Sequence, residues 1–263
     1  MQIENLFRLT SAAHYSHMVE SPFKQRGGIL LVADQGNMKS TIVERSLRPF
    51  PDALVYSDLT LKQLAVIRNQ IANGVYNTLG FLELEKIYAR QLSVALNFEG
   101  ILKAMVEEGF QHFAFEDQRC WVPTARCFVL ASVLHSLYRF HFGRWQDNGF
   151  LRRFLVFKYT LSRHAKDKMR DAIHEGDLVP FPPMVAFPST FLKMDCTPDE
   201  SRKLESFFLV DDSLYTPLNL LRKCLTILKW RHKIEKKKKA PTPMEILEDL
   251  RDGIGTNGGT LEI

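Results

Sequence analysis

What this 263-residue sequence lacks narrows it first. No window reaches the roughly 18 consecutive apolar residues a membrane-spanning helix needs, so no membrane partner is expected. The start carries an acid, Glu4, and no apolar leader stretch, which predicts a cytoplasmic protein. Cysteine is scarce: Cys120, Cys127, Cys196 and Cys224 form no C-x-x-C pair and have no histidine at zinc spacing. That argues against a disulfide scaffold or a zinc ribbon and for reduced thiols. No internal repeat is visible, which argues against a solenoid.

What is there is an ordinary globular mixture, 45% hydrophobic and 25% charged, long enough for one large domain or a core with an appendage. The net charge of +5 is small for the length, but its placement is uneven. Between Arg222 and Lys239 stand nine Lys or Arg residues against one acid, Glu235, four of them in the run Lys236 to Lys239. This stretch reads equally as a contact to DNA phosphates or as a solvated helix end.

Hydrophobic periodicity gives the coarse architecture. Apolar positions Ile3, Leu6, Phe7 and Leu9 predict an N-terminal helix, with His14 and His17 at the surface. Strands are expected at 29–32, 53–57, 78–82, 125–132 and 153–159, separated by helices at about 40–48, 62–72 and 98–108. Alternating strands and helices predict an α/β fold with a mostly parallel five-stranded sheet between helices. Prolines break up 178–198 into a meandering connection, after which helices at about 199–209, 217–236 and up to Asp252 are expected, then a mobile glycine-rich end. The organisation expected is an N-terminal helical segment (1–27), a core (28–163) and a smaller, mainly helical C-terminal region (164–263).

The most informative stretch is 29–41, Ile-Leu-Leu-Val-Ala-Asp-Gln-Gly-Asn-Met-Lys-Ser-Thr. A strand, a turn through Gly36 and a helix beginning near Lys39 build a phosphate-binding loop, in which free amides at a helix start point at an anion. Gly36, Asn37, Met38, Lys39, Ser40 and Thr41 are therefore candidate nucleotide-binding residues. Lys39 would reach the terminal phosphates of ATP, and Ser40 would present its hydroxyl to Mg2+. The pattern G-x-x-x-x-G-K-[ST] is incomplete: Ala33 and Met38 stand where its glycines fall, and Met38 implies a strained backbone.

Phosphoryl transfer also needs an acid to hold the metal and a group to polarise water. Glu83, at a strand end, is the candidate metal ligand beside Ser40, with Glu85 as the water activator. Glu116 and Asp117 are the competing pair. Ser132, or His135 just beyond it, is a candidate contact to the attacking water or γ-phosphate. Arg153, in Phe150-Leu151-Arg152-Arg153-Phe154, is a candidate arginine finger.

In that order these parts resemble a ring-forming P-loop ATPase of the AAA+ type. Ala125-Arg126-Cys127-Phe128-Val129-Leu130-Ala131 resembles the sensor strand of minichromosome-maintenance-type helicases, and Leu151-Arg152-Arg153-Phe154 resembles their arginine-finger segment. The resemblance covers 26–160. Phe113 to Pro123 would be the hairpin before the sensor strand, and Arg222 a second sensor arginine. It implies an ATP- and magnesium-dependent homo-oligomer, a ring or filament, acting on DNA in replication, transposition or packaging. A nucleotide-binding module without turnover and a small-molecule kinase are the alternatives.

Overall fold

The computed structural model describes residues 1–22, 24–112, 123–174, 190–208, 215–235, 241–254 and 258–262. The chain begins with α1 (Ile3–His14) and a short strand, β1 (Val19–Glu20), followed by β2 (Gly28–Ala33), α2 (Lys39–Leu47), β3 (Ala53–Tyr56) and α3 (Leu61–Ala72). Then come β4 (Thr78–Phe81), α4 (Glu85–Tyr88), α5 (Leu92–Val106), β5 (Phe128–Leu134), α6 (His135–Asp147), β6 (Phe154–Leu161) and α7 (Arg163–His174). The remainder carries β7 (Leu192–Lys193), α8 (Pro198–Glu205), α9 (Tyr215–Glu235), α10 (Pro243–Leu250) and β8 (Gly259–Leu261).

The main sheet runs in the order β3-β4-β5-β2-β6-β8, with every strand pairing parallel. The fold is α/β, as the alternation predicts. The strand count differs, six instead of five. The extra strand is β8, from the glycine-rich end expected to be mobile: Gly258, at φ +76°, turns the backbone so that Gly259–Leu261 pairs with Tyr159–Leu161. The expected strand 125–132 is observed as Phe128–Leu134, because Ala125 pairs with Phe110 instead. Within the expected proline-broken connection, Leu192 and Lys193 pair in parallel with Val19 and Glu20; Pro180, Pro182, Pro183 and Pro188 lie outside the described residues.

All six residues of β2 are buried, as expected of a strand covered on both faces. Ile29, Leu31 and Ala33 face a core shared with Leu6 and Leu9 of α1, while Leu30 and Val32 face a second core with Leu64 of α3 and Leu102 of α5. Helices α9 and α10 belong to the first core: Leu221, Leu225 and Leu247 pack in the same cluster as Ile29 and Leu31. The C-terminal region is thus fused to the sheet through one continuous core.

His14 corrects the surface reading. It is 1% exposed, its Nδ1 pairing with Thr78 Oγ1 at 2.8 Å and its Nε2 lying 3.1 Å from Asp52 Oδ1, with Phe50 stacked on the ring. Burial alone would raise the Asp52 carboxyl, but the hydrogen bond and charge of His14 hold it well below the usual carboxylate range.

Candidate functional site

With β5 on one side and β6 on the other, β2 lies inside the sheet, and its carboxyl end opens beside theirs. That is the edge where open parallel sheets place their ligands. The loop 34–38 leaves this edge and turns into α2. Gly36 adopts φ +79°, and a Cβ there would meet nothing within 4 Å, so only backbone conformation calls for glycine. Met38 stands at φ +51° and ψ +31°, and is the only non-glycine residue with positive φ among the described residues. The backbone thus keeps the left-handed turn that glycine would supply, at a strain of about 1–3 kcal/mol. Packing of Met38 against the first core helps hold it there.

Asn37 is what fastens this turn. It is 3% exposed, its Nδ2 donates to the Asp34 carbonyl at 3.2 Å, and its own carbonyl accepts the Tyr159 hydroxyl at 3.0 Å. The amide of Leu161 donates to Asn37 Oδ1. Asn37 therefore anchors the loop to β6, and the loop faces any ligand with other groups. The sequence carries no short-range signal for this, because Tyr159 and Leu161 lie more than a hundred residues away.

Lys39 opens α2. It is 7% exposed and makes no ion pair among the described residues; its Nζ donates to the Asp34 carbonyl at 3.3 Å. Burial pulls its ammonium below the ordinary lysine value, opposed by the charges of Glu85, Asp34 and Glu83. α2 receives no side-chain cap, whereas α3, α8 and α10 each start with a complete capping box, on Thr60, Thr197 and Thr242. In this α2 is like α1, α4, α5 and α6, and the amides of its first turn receive no acceptor from a capping side chain. Thr41 lies half-buried on that same turn.

Across from Lys39 stand the acids. Burial raises the Glu85 carboxyl, with Lys39 pulling it back down, and Glu85 Oε2 is buried without a hydrogen-bond partner. Glu83 is more open, 39% exposed at its side chain, and pairs with Lys86 Nζ at 2.6 Å. Ser40 Oγ donates to the Leu82 carbonyl at 2.8 Å, and Ser132 Oγ donates to the same carbonyl. Ser132 is fully buried inside β5, two residues short of its end, so its hydroxyl braces the strand edge. His135 is the residue that emerges there: its Nδ1 lies 3.7 Å from Asp34 Oδ1.

The remaining candidates lie elsewhere. Arg153 stands just before β6, at the opposite edge of the sheet, with Nε 2.5 Å from Glu107 Oε2 and Nη1 donating to the Gly149 carbonyl at 2.8 Å. Arg222 is bound to Ser201 and to Glu205, at 2.9 Å. The other described cations of its helix are likewise engaged: Lys223 donates to the Gln25 carbonyl, Lys229 and Lys233 pair with Asp195, and Arg231 donates to Ser11. These charges tie α9 to its neighbours, while the Lys233 side chain stays largely exposed. Glu116, Asp117, Cys120 and the run Lys236 to Lys239 lie outside the described residues.

No described helix is long and apolar enough to cross a membrane. No known family model matches the chain, and no curated protein matches it.

Proposed function

We propose that the loop 34–38 and the start of α2 bind the phosphates of a nucleoside triphosphate, ATP in the first instance, with Mg2+. The observation that carries this is a buried lysine with no ion-pair partner among the described residues, placed at an uncapped helix start. A buried unpaired ammonium is costly unless a ligand anion completes it.

The residues fit the group they would hold. Lys39 and the first amides of α2 suit the β- and γ-phosphates. Ser40 donates its proton to Leu82, which leaves its lone pairs for a metal. The orphaned Glu85 oxygen is an acceptor without a proton to accept, as a water-orienting carboxylate requires. Glu83 would join the metal by releasing Lys86. Bound magnesium would neutralise charge developing on the phosphates.

On this reading the protein is an AAA+-like ATPase that assembles into a ring or filament, with Arg153 offered to a neighbouring subunit once released from Glu107. Action on DNA would rest on the run Lys236 to Lys239, since the cations of α9 are engaged. The second reading is a nucleotide-binding module without turnover, favoured by the commitment of Arg153 to Glu107 and Gly149.

Phosphate release and calorimetric ATP binding, measured on wild type and Lys39→Ala, test both. Turnover abolished by the substitution supports the ATPase. Binding without turnover supports the module, and equal absence of binding in both proteins refutes the site.

A further inference from the structure

The opposite edge of the sheet holds a second feature, independent of the phosphate loop. A cavity of about 500 Å3 opens there, lined by Lys24, Arg26, Arg126, Lys223, His17 and Asn77. We propose that it binds a small phosphate-bearing anion, held chiefly by Arg26 and Arg126.

Strand order explains the convergence. Arg26 lies two residues before β2, Arg126 two before β5 and Asn77 one before β4, and these strands are consecutive neighbours in the sheet. Three amino-terminal strand ends therefore deliver two guanidiniums and an amide to one place. Glu20, exposed at the rim, is the only acid in the lining among the described residues.

Lys24, Arg26 and Arg126 make no ion pair among the described residues. Arg126 Nη2 donates to the Glu108 carbonyl at 2.5 Å, while its Nε is buried with no partner. Lys223, 3% exposed, donates to the Gln25 carbonyl at 2.6 Å. The charges also feel one another: burial lowers Arg26, and Arg126 lowers it further; burial lowers Lys223 to about 8, with Arg26 adding to the effect. Burial lowers His17 to about 4, leaving it a neutral donor or acceptor at pH 7.

Gathering like charges in a half-buried space opposes folding, and apolar side chains of similar volume would serve stability better. A bound dianion removes that opposition. Paired guanidiniums match the tetrahedral oxygens of a phosphate through parallel N–H donors. The volume lies within the range of small-ligand pockets. The β2 strand between this cavity and the phosphate loop is six residues long, so the two sites stand about 20 Å apart.

The test is calorimetry of the full chain with inorganic pyrophosphate in the absence of magnesium, with thermal melting alongside. Wild type and Lys39→Ala should both bind and both gain melting temperature. Arg26→Gln and Arg126→Gln should each lose about tenfold or more in affinity, while melting no lower without ligand. Should either arginine variant fail to fold, Lys24→Gln at the exposed rim should weaken binding about threefold. Competition by a 5′-phosphorylated oligonucleotide but not its unphosphorylated counterpart would assign the phosphate to a nucleic-acid end. Lack of competition would assign it to a free small molecule. Unchanged affinity in the folded variants, no binding by wild type, or binding lost in Lys39→Ala alone would overturn the proposal.

Discussion

The Leu161 backbone N–H donates to the buried Asn37 Oδ1 at 2.9 Å, joining the turn after β2 to the carboxyl end of β6. Asn37→Ala leaves that amide without its partner and removes one of the donors to the Asp34 carbonyl, which Lys39 Nζ and the residue-37 amide still reach. A loss of about 1–3 kcal/mol in urea-measured stability is expected, with weaker ATP binding in the folded fraction. Unchanged stability would mean that the turn holds its shape by other means.

Met38 offers a cleaner comparison. Met38→Ala and Met38→Gly remove the same packing, but only glycine relieves the positive φ. The glycine variant should be more stable than the alanine variant by about 1 kcal/mol, read from denaturation midpoints. The reverse ranking would show that the left-handed turn carries no strain.

Glu85→Gln keeps the shape of the side chain and removes its charge. If Glu85 orients water, phosphate release should fall by about a hundredfold or more, while ATP affinity changes little. A parallel loss of affinity would instead make Glu85 a partner of Lys39 in binding.

His17 gives a pH signature. Burial lowers it to about 4 from an ordinary 6.5, and its Nδ1 donates to the His14 carbonyl at 2.9 Å. Between these values the unfolded chain binds a proton that the folded chain does not, so stability falls as pH drops from 6.5 to 4. The full window corresponds to roughly 3 kcal/mol. In His17→Gln that part of the acid sensitivity should vanish, measured as the difference between the two proteins' urea midpoints at pH 7 and pH 4.5. Parallel curves would contradict the assignment.

Much of the architecture is written in local periodicity. The run Ile29–Val32 announces a strand buried on both faces, and the apolar spacing of α1 and α3 announces their inward faces. Helix α6 is obscured because it buries only Tyr138 and Trp145, while Phe140 is 82% exposed and muddles the pattern. β8 is obscured because its three residues, Gly259, Thr260 and Leu261, are too few to show a period and gain their structure from β6. At the candidate site, Lys39 and Ser40 are legible because helix start and residue type coincide. The bracing of Ser132 and Ser40 on Leu82 is not, since the acceptor is a main-chain oxygen with no residue signature. The cavity at the opposite edge was equally hidden, because strand order alone brings Arg26 and Arg126 together.

The shared Leu82 oxygen carries a mechanical consequence. It couples the first turn of α2 and the interior of β5 to the segment after β4 that carries both glutamates. Lysine and acids thereby share one hydrogen-bonded frame, held through a main-chain oxygen and not through the lysine and glutamate side chains. On the proposed reading, exchanging a carboxylate silences the site while the frame itself stays in register.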